Sequence, residues 1–268
     1  MSGLVLSGVT VAVPGPDGPR ALVEGLSLHV RRGTVTCVVG PNGAGKTTLL
    51  KVAAGLRPPA AGTVTVDGTA LAALAPRHRA RRVGVLPQRL PLSDDMTVRA
   101  FVELGRHPHR SRWTGADPAG AAAVDRALAE AGITALAGAR IFSVSGGEFQ
   151  LARLAQLWAT KTPYWILDEP TTALDPAHAL RIAGLLVRAA RTGHGLLVAI
   201  HDLEIARRIA DRVACIGGPD APAFVEGPAG AVVAPAVLDR VYGVRTRLWP
   251  DAVGFELPGD GPPPTVTA

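Results

Sequence analysis

Nine consecutive residues decide the fold of this chain: Gly40-Pro41-Asn42-Gly43-Ala44-Gly45-Lys46-Thr47-Thr48. They match the pattern G-x-x-x-x-G-K-[ST], with an apolar run at residues 35–39 before them and a helix-compatible run at residues 48–54 after them. Strand, glycine loop and helix form the context in which this pattern binds phosphates, because the backbone N–H groups and the helix dipole point at the anion. The stretch predicts a site for a nucleoside triphosphate with Mg²⁺, in which Lys46 reaches the phosphates and Thr47 ligates the metal. An ordinary glycine turn is the alternative.

Composition and charge narrow the class of protein. The chain has 268 residues, 47% of them hydrophobic, and its 28 basic and 22 acidic side chains give a net charge of +6. This length suits one large domain or a core with a subdomain. The densest basic cluster, residues 77–82, is expected to be a solvated helix, with a nucleic-acid or membrane-surface patch as the alternative. No nucleic-acid partner is expected.

The two cysteines and the apolar runs bear on three features: disulfide bonds, a secretory signal and transmembrane helices. Cys37 and Cys215 lie inside apolar runs and are expected to be buried and unpaired. No secretory signal is expected at the N-terminus, and no apolar run reaches about 18 residues, the length that predicts a transmembrane helix. If the protein serves a membrane process, another chain has to span the membrane.

The pattern along the chain predicts an α/β fold. Alternating apolar and polar positions in the first 35 residues or so predict an antiparallel β layer with a turn at residues 14–19. Three later apolar runs each end in polar residues: 83–86, 164–167 and 196–200. Unbroken runs separated by helical stretches predict a mainly parallel sheet that is covered on both sides.

Helix signals dominate residues 90–160 and predict a helical subdomain inserted into the core. Within it, Asp117 and Pro118 are expected to be the N-cap and the first residue of a helix. We divide the chain into a nucleotide-binding core with the β layer, the helical subdomain, a return to the core, a C-terminal segment and a disordered tail. These segments span residues 1–87, 88–160, 161–225, 226–257 and 258–268.

Candidate site residues follow the predicted strands, at the carboxyl ends where ligands bind in such sheets. Asp168 is a hard oxygen ligand suited to Mg²⁺, and Glu169 is placed to polarise an attacking water. Gln88 is expected to ligate Mg²⁺ or hold that water, and His201 to contact the γ-phosphate. The alternatives are solvated acids, a surface glutamine and a structural histidine.

A second predicted anion site follows residue 144. The sequence Ser145-Gly146-Gly147-Glu148 precedes a helical run. A serine N-cap with glycines at the mouth of a helix exposes backbone N–H groups to an anion. The alternative is an ordinary capped helix. Two such sites in one chain indicate either two nucleotides or a shared one.

Taken together, these motifs resemble those of the ATP-binding-cassette (ABC) ATPases. The motifs occur in the family's order: the phosphate loop, the glutamine loop at Gln88, the signature at residues 144–148, the magnesium aspartate Asp168 with the base Glu169, the aspartate loop ending at Asp175, and the switch histidine His201. The resemblance covers about residues 3–245. It implies a RecA-like phosphate-loop NTPase core, ATP hydrolysis that depends on Lys46, Gln88, Glu169 and His201, and contact of Asp175 with the nucleotide site.

The resemblance also implies partners. ABC ATPases form head-to-tail homodimers in which each ATP lies between one subunit's phosphate loop and Ser145 and Gly147 of the other. Closure and opening of this dimer drive membrane-spanning subunits that dock at the groove around Gln88. We therefore expect a peripheral protein at the cytoplasmic face of the membrane, with two permease subunits and, indirectly, an extracytoplasmic substrate-binding protein.

Three further segments resemble the ATPases of ferric-siderophore, haem and cobalamin importers: residues 96–99, 104–109 and 237–244. Residues 154–158 are similar to the haem-import members. An exporter ATPase, for drugs or haem, is the first alternative. A non-transport cassette is the second, although the short interval from Gln88 to Ser145 leaves no room for a long coiled-coil insertion. A simple phosphate-loop kinase leaves the signature and His201 unexplained.

Three positions depart from the family's pattern. No aromatic residue lies near residues 11–14 to stack on adenine, so the base is expected to rest on aliphatic carbon. Val144 replaces the usual leucine of the signature. Leu151 follows Gln150 where an arginine is usual, and we expect this to remove a charge near the dimer interface.

Overall fold

A six-stranded, mainly parallel sheet forms the centre of the fold. The computed structural model describes residues 2–15, 18–91, 95–217, 224–249 and 252–256. In these ranges the strands are β1 (Leu4–Gly15), β2 (Gly18–Val30), β3 (Val35–Val39), β4 (Ala61–Val66), β5 (Thr69–Ala70), β6 (Val83–Leu86), β7 (Tyr164–Asp168), β8 (Gly195–Ala199), β9 (Arg212–Ile216), β10 (Phe224–Pro228), β11 (Arg245–Leu248) and β12 (Val253–Glu256).

The helices pack on the sheet and form the inserted subdomain. They are α1 (Lys46–Ala53), α2 (Pro76–Ala80), α3 (Val98–Glu103), α4 (Gly120–Ala131), α5 (Gly146–Ala159), α6 (Pro176–Arg191), α7 (Leu203–Ile209), α8 (Ala229–Val232) and α9 (Pro235–Tyr242). Short 3₁₀ helices span Leu71–Ala73, Leu104–His109 and Thr134–Leu136. None of the helices in the described ranges combines the length and apolar character that crossing a membrane requires.

The central sheet has the strand order β10-β9-β3-β8-β7-β6. All neighbouring strands run parallel except β9 and β10. Every residue of β3, β7 and β8 is buried, because apolar side chains on both faces contact a core. Trp165 and Leu167 point into a core on the helical side, whereas Tyr164 and Ile166 point into a core under the β layer. The predicted α/β fold with a mainly parallel sheet is confirmed.

The antiparallel layer is a second sheet with the order β2-β1-β4-β5. The hairpin between β1 and β2 is tighter than the expected turn at residues 14–19, because the strands pair as far as Gly15 and Gly18. Residues 16–17 lie outside the described residues. Leu4, Leu6, Leu26 and Val30 bury their side chains fully or almost fully between this layer and α1. The predicted antiparallel layer is confirmed.

The inserted subdomain consists of α3, α4 and α5 with their 3₁₀ segments. Phe101, Leu128 and Leu154 are completely buried in its core. Between residues 95 and 160, the one extended pairing within the described ranges is a single bridge from Thr97 to Arg140. The predicted helical insertion is therefore confirmed.

The predicted N-cap at Asp117 is wrong. Helix α4 begins at Gly120, with Ala119 as the cap residue. The Asp117 carboxylate instead accepts from Arg106, 2.8 Å from its Nε atom, and Arg106 also donates to the Ala159 carbonyl at 2.8 Å. Arg106 is 3% exposed, and a buried guanidinium needs a charged partner more than a helix end needs a cap.

The expectation of a solvated helix at residues 77–82 holds only in part. Arg77 and Arg81 each donate through Nε to the Pro108 carbonyl at 2.8 Å, so they join α2 to the 3₁₀ helix Leu104–His109. Arg82 forms an ion pair with Asp67 at 3.2 Å. Arg77 and Arg81 thus connect the core to the inserted subdomain.

Both cysteines are buried and unpaired, as predicted. Cys37 lies in β3 and Cys215 in β9. Burial raises the pKa of both thiols, that of Cys215 to about 11. The two side chains are therefore protonated and serve as small hydrophobic groups.

The C-terminal segment packs on α7. Arg207 donates to the Trp249 carbonyl at 2.8 Å, and the Val253 N–H donates to Glu204 at 3.2 Å. The predicted disordered tail at residues 258–268 lies outside the described residues.

Candidate functional site

The glycine loop lies between the carboxyl end of β3 and the start of α1. Gly45 caps α1 with a left-handed backbone, at φ +97°, where a Cβ atom would come within 2.9 Å of Leu22. Gly40, at φ +150°, packs so closely on the Ile216 carbonyl that a Cβ atom has no room. Glycine is required at both places, because any side chain would move the loop away from its neighbouring strands.

Lys46 is the first residue of α1, and its side chain lies inside the loop. It is 5% exposed, and its Nζ atom donates to the Gly40 carbonyl at 2.7 Å and the Pro41 carbonyl at 3.0 Å. Burial lowers the pKa of the ammonium group, while the charges of Glu169 and Asp168 act in the opposite direction. The loop thus holds a buried cation at the point where phosphate oxygens are predicted.

Thr47 and Asp168 form the predicted metal site. The Thr47 hydroxyl donates to Asp168 Oδ1 at 3.2 Å, which brings two oxygen ligands together. Asp168 is 6% exposed, and burial raises its pKa. A buried carboxylate without a full set of partners fits a cation such as Mg²⁺, which takes one or two protein oxygens and keeps waters or phosphates as its other ligands. In the described ranges, no group of three or more His, Cys, Asp and Glu side chains could hold a metal ion.

The Glu169 carboxylate is the centre of a hydrogen-bonded group. Its three partners lie after three different strands: β6, β7 and β8. Gln88 Nε2 donates to its carboxylate at 2.7 Å, Thr172 Oγ1 donates to it at 3.2 Å, and His201 Nε2 is paired with its other oxygen. Its backbone has φ +52°, and its N–H donates to the Ala199 carbonyl at 3.0 Å. A left-handed backbone in a residue other than glycine costs free energy, and such strain is typical of functional sites.

The signature residues lie at the start of α5. Ser145 and Glu148 form a capping box, in which Glu148 accepts from the Ser145 N–H and hydroxyl, both at 2.8 Å. These two hydrogen bonds lower the pKa of Glu148. Gly146 and Gly147 open the helix, and Gly147 packs so tightly on the His178 ring that a Cβ atom has no space. The backbone N–H groups of this helix start are framed by small residues, as an anion site requires.

Asp175 belongs to the same surface as the signature. It caps α6 by accepting from the His178 N–H at 2.9 Å, and it pairs with the His178 ring at 2.6 Å. In the described part of the chain, no hydrogen bond or ion pair joins Asp175 or residues 145–148 to the phosphate loop. The structure therefore groups the predicted site residues into two clusters: the phosphate loop with Asp168, Glu169, Gln88 and His201, and the signature with Asp175.

Sequence reasoning missed the side chains that connect α5 to the Glu169 group. Gln150 donates to the Pro170 carbonyl at 2.7 Å, and Arg153 donates to Gln150 at 2.9 Å and to the Pro87 carbonyl. Both side chains are buried, and burial lowers the pKa of Arg153. They brace the residues next to Gln88 and Glu169. Two polar side chains three residues apart on an apolar helix face were the available signal.

Two other positions refine the sequence analysis. Leu151 is 1% exposed and packs in the helical-side core, so the expected loss of an interface charge at this position is wrong. An arginine there would have to be buried.

Tyr242 of α9 lies against the backbone of Gly40, and burial raises the pKa of its hydroxyl. This contact joins the C-terminal segment to the phosphate loop, and it has no sequence signal.

A phosphate loop at one strand end and two carboxylates at another form the arrangement expected of a phosphate-loop nucleoside-triphosphate site. The family described as ABC transporter matches residues 23–172. The chain belongs to this family.

Three curated relatives are ATP-binding proteins named for import or transport. A haemin import ATP-binding protein, HmuV, of Nocardia farcinica is 40% identical over 238 residues, covering 88% of this chain and 81% of the relative. The ferric enterobactin transport protein FepC of Escherichia coli is 35% identical over 240 residues, covering 88% and 87%. The cobalamin import protein BtuD of Halobacterium salinarum is 36% identical over 247 residues, or 91% of this chain, and this chain spans only 61% of that relative's length.

Solved structures agree on the fold. A metal-chelate type ABC transporter in an inward-facing conformation has a TM-score of 0.79 at 21% identity, and the match covers 96% of both chains. A dimeric bacterial ABC transporter cassette has a TM-score of 0.67 at 25% identity, over 79% of this chain and 93% of that one.

Proposed function

We propose that this chain hydrolyses ATP in an importer for an iron–siderophore, haem or cobalamin-type substrate. The observation that carries the hydrolytic part is the group around Glu169, whose carboxylate is held by Gln88, Thr172 and His201 beside Asp168 and Lys46. A carboxylate that is held in place beside the phosphate loop suits the orientation of an attacking water.

Each residue of the phosphate-loop cluster has a proposed role. Lys46 and the loop N–H groups neutralise phosphate charge, and His201 contacts the γ-phosphate from the opposite side. Thr47 and Asp168, assisted by Gln88, would hold Mg²⁺, which neutralises charge on the phosphate oxygens when bound. Glu169 orients the water, and Gln88 and Thr172 fix its carboxylate in place.

Replacement of the base tests the hydrolytic part. We expect Glu169→Gln to bind ATP normally but to lose most of its turnover, because the amide retains the shape and cannot accept the proton. Binding is measured with a fluorescent ATP analogue and turnover by phosphate release. Lys46→Ala, which removes phosphate contacts, is the comparison and is expected to lose binding as well. Wild-type turnover in Glu169→Gln would remove the glutamate from its role.

We propose that the working unit is a homodimer on two membrane-spanning permease subunits at the cytoplasmic face of the membrane. The separation of the signature cluster from the phosphate loop supports this arrangement, since Ser145, Gly147 and Asp175 would then complete the site of a second copy. The dimeric cassette among the similar structures supports it as well. An extracytoplasmic binding protein that delivers the substrate is part of the proposal.

The import direction and the cargo class rest on the relatives, whose names refer to haemin import, ferric enterobactin transport and cobalamin import. Each of the three cargoes is a large metal chelate. The test is ATP turnover of the complex with its permease in liposomes, with each chelate and its binding protein added in turn. We expect one chelate to stimulate turnover and to accumulate on the side of the ATPase. Movement of cargo away from that side would favour the exporter alternative.

A further inference from the structure

A basic cavity of about 390 Å³ lies at the edge of the central sheet that is opposite to the phosphate loop. Arg82, Pro163 and His194 line it, and each immediately precedes a parallel strand: β6, β7 and β8 in turn. Because the amino ends of parallel strands share one edge, these residues lie together. The length of a five-residue strand, roughly 16 Å, separates them from the carboxylates at the other edge.

The cavity carries more positive charge than its surroundings balance. Its lining includes four cations: Arg32, Arg81, Arg82 and Lys161. The Asp67 carboxylate accepts from Arg32 at 3.1 Å and from Arg82 at 3.2 Å, so one negative charge is shared by two arginines. Asp67 also accepts from the Tyr164 hydroxyl at 2.7 Å, which uses more of its capacity.

Among the described residues, neither of the other two cations has an anionic partner. Arg81 donates through Nε to the neutral Pro108 carbonyl, which leaves its two outer nitrogens available. Lys161 forms no hydrogen bond or ion pair through its ammonium group with any part of the chain that the structure describes. Its backbone has φ +52°, a left-handed conformation at which glycine or asparagine is the usual residue. The turn after α5 therefore holds a lysine under backbone strain at the rim of a basic cavity.

The remaining wall is uncharged and rigid. His194 stacks on Trp165 with ring centroids 4.4 Å apart, and its Nδ1 atom is paired with the Thr162 carbonyl at 2.8 Å. Burial lowers the pKa of His194, so its ring contributes a flat neutral surface at neutral pH. The cations line one open pocket together with this surface, whereas a nucleic-acid duplex requires an extended basic stripe.

We propose that this cavity binds an anion with two neighbouring phosphoryl groups. Guanidinium groups and an ammonium group supply the positive charge and the hydrogen-bond donors that such a ligand requires. The same chemistry is present in soluble pyrophosphate-type anions and in the headgroup of cardiolipin. The site involves none of the residues assigned to ATP hydrolysis, so it goes beyond the proposed function and does not depend on it.

Two binding measurements distinguish the sources. Inorganic pyrophosphate is titrated calorimetrically into the protein with ADP and Mg²⁺ in excess, so that the phosphate loop is already occupied. Cosedimentation is measured with phosphatidylcholine vesicles that contain or lack cardiolipin. Wild-type protein is compared with Lys161→Gln and Arg82→Gln, and Arg126→Gln on the exposed face of α4 is the control that removes the same charge elsewhere.

We expect Lys161→Gln and Arg82→Gln to weaken binding about tenfold or more, the usual effect of one lost charge-assisted hydrogen bond, while Arg126→Gln retains wild-type binding. If Lys161→Gln and Arg82→Gln weaken pyrophosphate binding in calorimetry, the ligand is a soluble anion. If they weaken only the binding to cardiolipin vesicles, the ligand is the lipid. Absence of binding to both probes, or equal weakening by all three variants, would overturn the proposal. The Lys161 ammonium group has no partner to lose in the part of the chain that the structure describes, so this variant is expected to fold normally.

Discussion

At the scale of single residues, the burial of Asp168 opposes the charged state of its carboxylate, which a bound cation requires. Its carboxylate is 6% exposed, and burial raises its pKa. The Thr47 hydroxyl, 3.2 Å away, offsets this effect in part, whereas the negative charge of Glu169 adds to it. The free protein would fold more easily without this charge. Its position beside the phosphate loop supports a role in holding a cation.

This conflict predicts a pH dependence of stability. Because the pKa of Asp168 is raised above its ordinary 3.8 in the folded state, the folded protein binds more protons than the unfolded chain just above that pH. The free energy of unfolding therefore receives a contribution that falls as pH rises through this window. Asp168→Asn lacks this contribution, so its stability relative to wild type is expected to increase from pH 4 to pH 7 or so.

Urea unfolding of both proteins across this pH range, without nucleotide or metal, is the measurement. The amide oxygen of the variant still accepts from Thr47, so the comparison isolates the charge. A stability difference that stays constant with pH would contradict the assigned environment of Asp168.

Much of the Glu169 group could be predicted from the sequence. Gln88, Glu169 and His201 each follow an unbroken apolar run, and parallel strands bring such positions to one edge of the sheet. Thr172 could not be predicted in this way, because its contact depends on the path of the turn after Glu169. The strained backbone of Glu169 likewise has no sequence signal, since the hydrogen bond to Ala199 imposes it.

At the scale of elements, α5 connects the inserted subdomain to the Glu169 group. Its N-terminus presents the signature, and one turn later Gln150 and Arg153 reach Pro170 and Pro87. These two contacts connect α5 to the residues next to Gln88 and Glu169. The helix is the direct physical route from the subdomain to the predicted base.

Replacement of Arg153 tests this connection. Arg153→Met keeps the apolar stem but leaves the Gln150 and Pro87 oxygens without their donor, which costs about 1–3 kcal/mol of unfolding free energy. We expect kcat for ATP to fall while ATP affinity is unchanged, because Lys46 and Thr47 are untouched. Phosphate release and nucleotide titration measure the two quantities, with Arg126→Met on exposed α4 as the control. Equal losses of affinity and kcat would contradict a positioning role.

The ion pair between Arg106 and Asp117 stabilises the subdomain that carries the signature. The two side chains are 4% and 11% exposed, and the hydrogen bond from Arg106 lowers the pKa of Asp117. Arg106→Leu leaves the carboxylate buried and unpaired, and is expected to cost about 3–5 kcal/mol in urea unfolding. Asp117→Asn removes the charged partner of the buried guanidinium, so it is expected to cost a similar amount. A loss below about 1 kcal/mol, typical of exposed pairs, would show that the pair is not stabilising.

The existence of these elements could be predicted more securely than their contacts. Apolar runs of strand length predicted β6, β7 and β8, because a strand that is buried on both faces needs apolar side chains at nearly every position. Asp117 and Pro118 have the local pattern of a helix start. The Asp117 carboxylate instead pairs with Arg106, a buried side chain eleven residues earlier. Leu151 shows the same limit, since only the packed helix reveals that the position is in the core.

At the scale of the whole molecule, the chain presents two incomplete clusters. The phosphate loop and the strand-end residues form one, and Ser145, Gly147 and Asp175 form the other. Each cluster has the chemistry of a phosphate site, since each opens at a helix start with exposed backbone N–H groups. In the proposed dimer, each cluster would complete the other across two copies of the chain.

Complementation between two inactive variants tests this central claim most directly. Lys46→Ala disables the phosphate loop, and Ser145→Arg blocks the signature; each homodimer is expected to be inactive in ATP hydrolysis. A mixed dimer would contain one site made from an intact loop and an intact signature, so mixing the variants is expected to restore turnover above that of either alone. If the mixture stays as inactive as its components while mixed dimers demonstrably form, the two clusters do not share a nucleotide across the dimer.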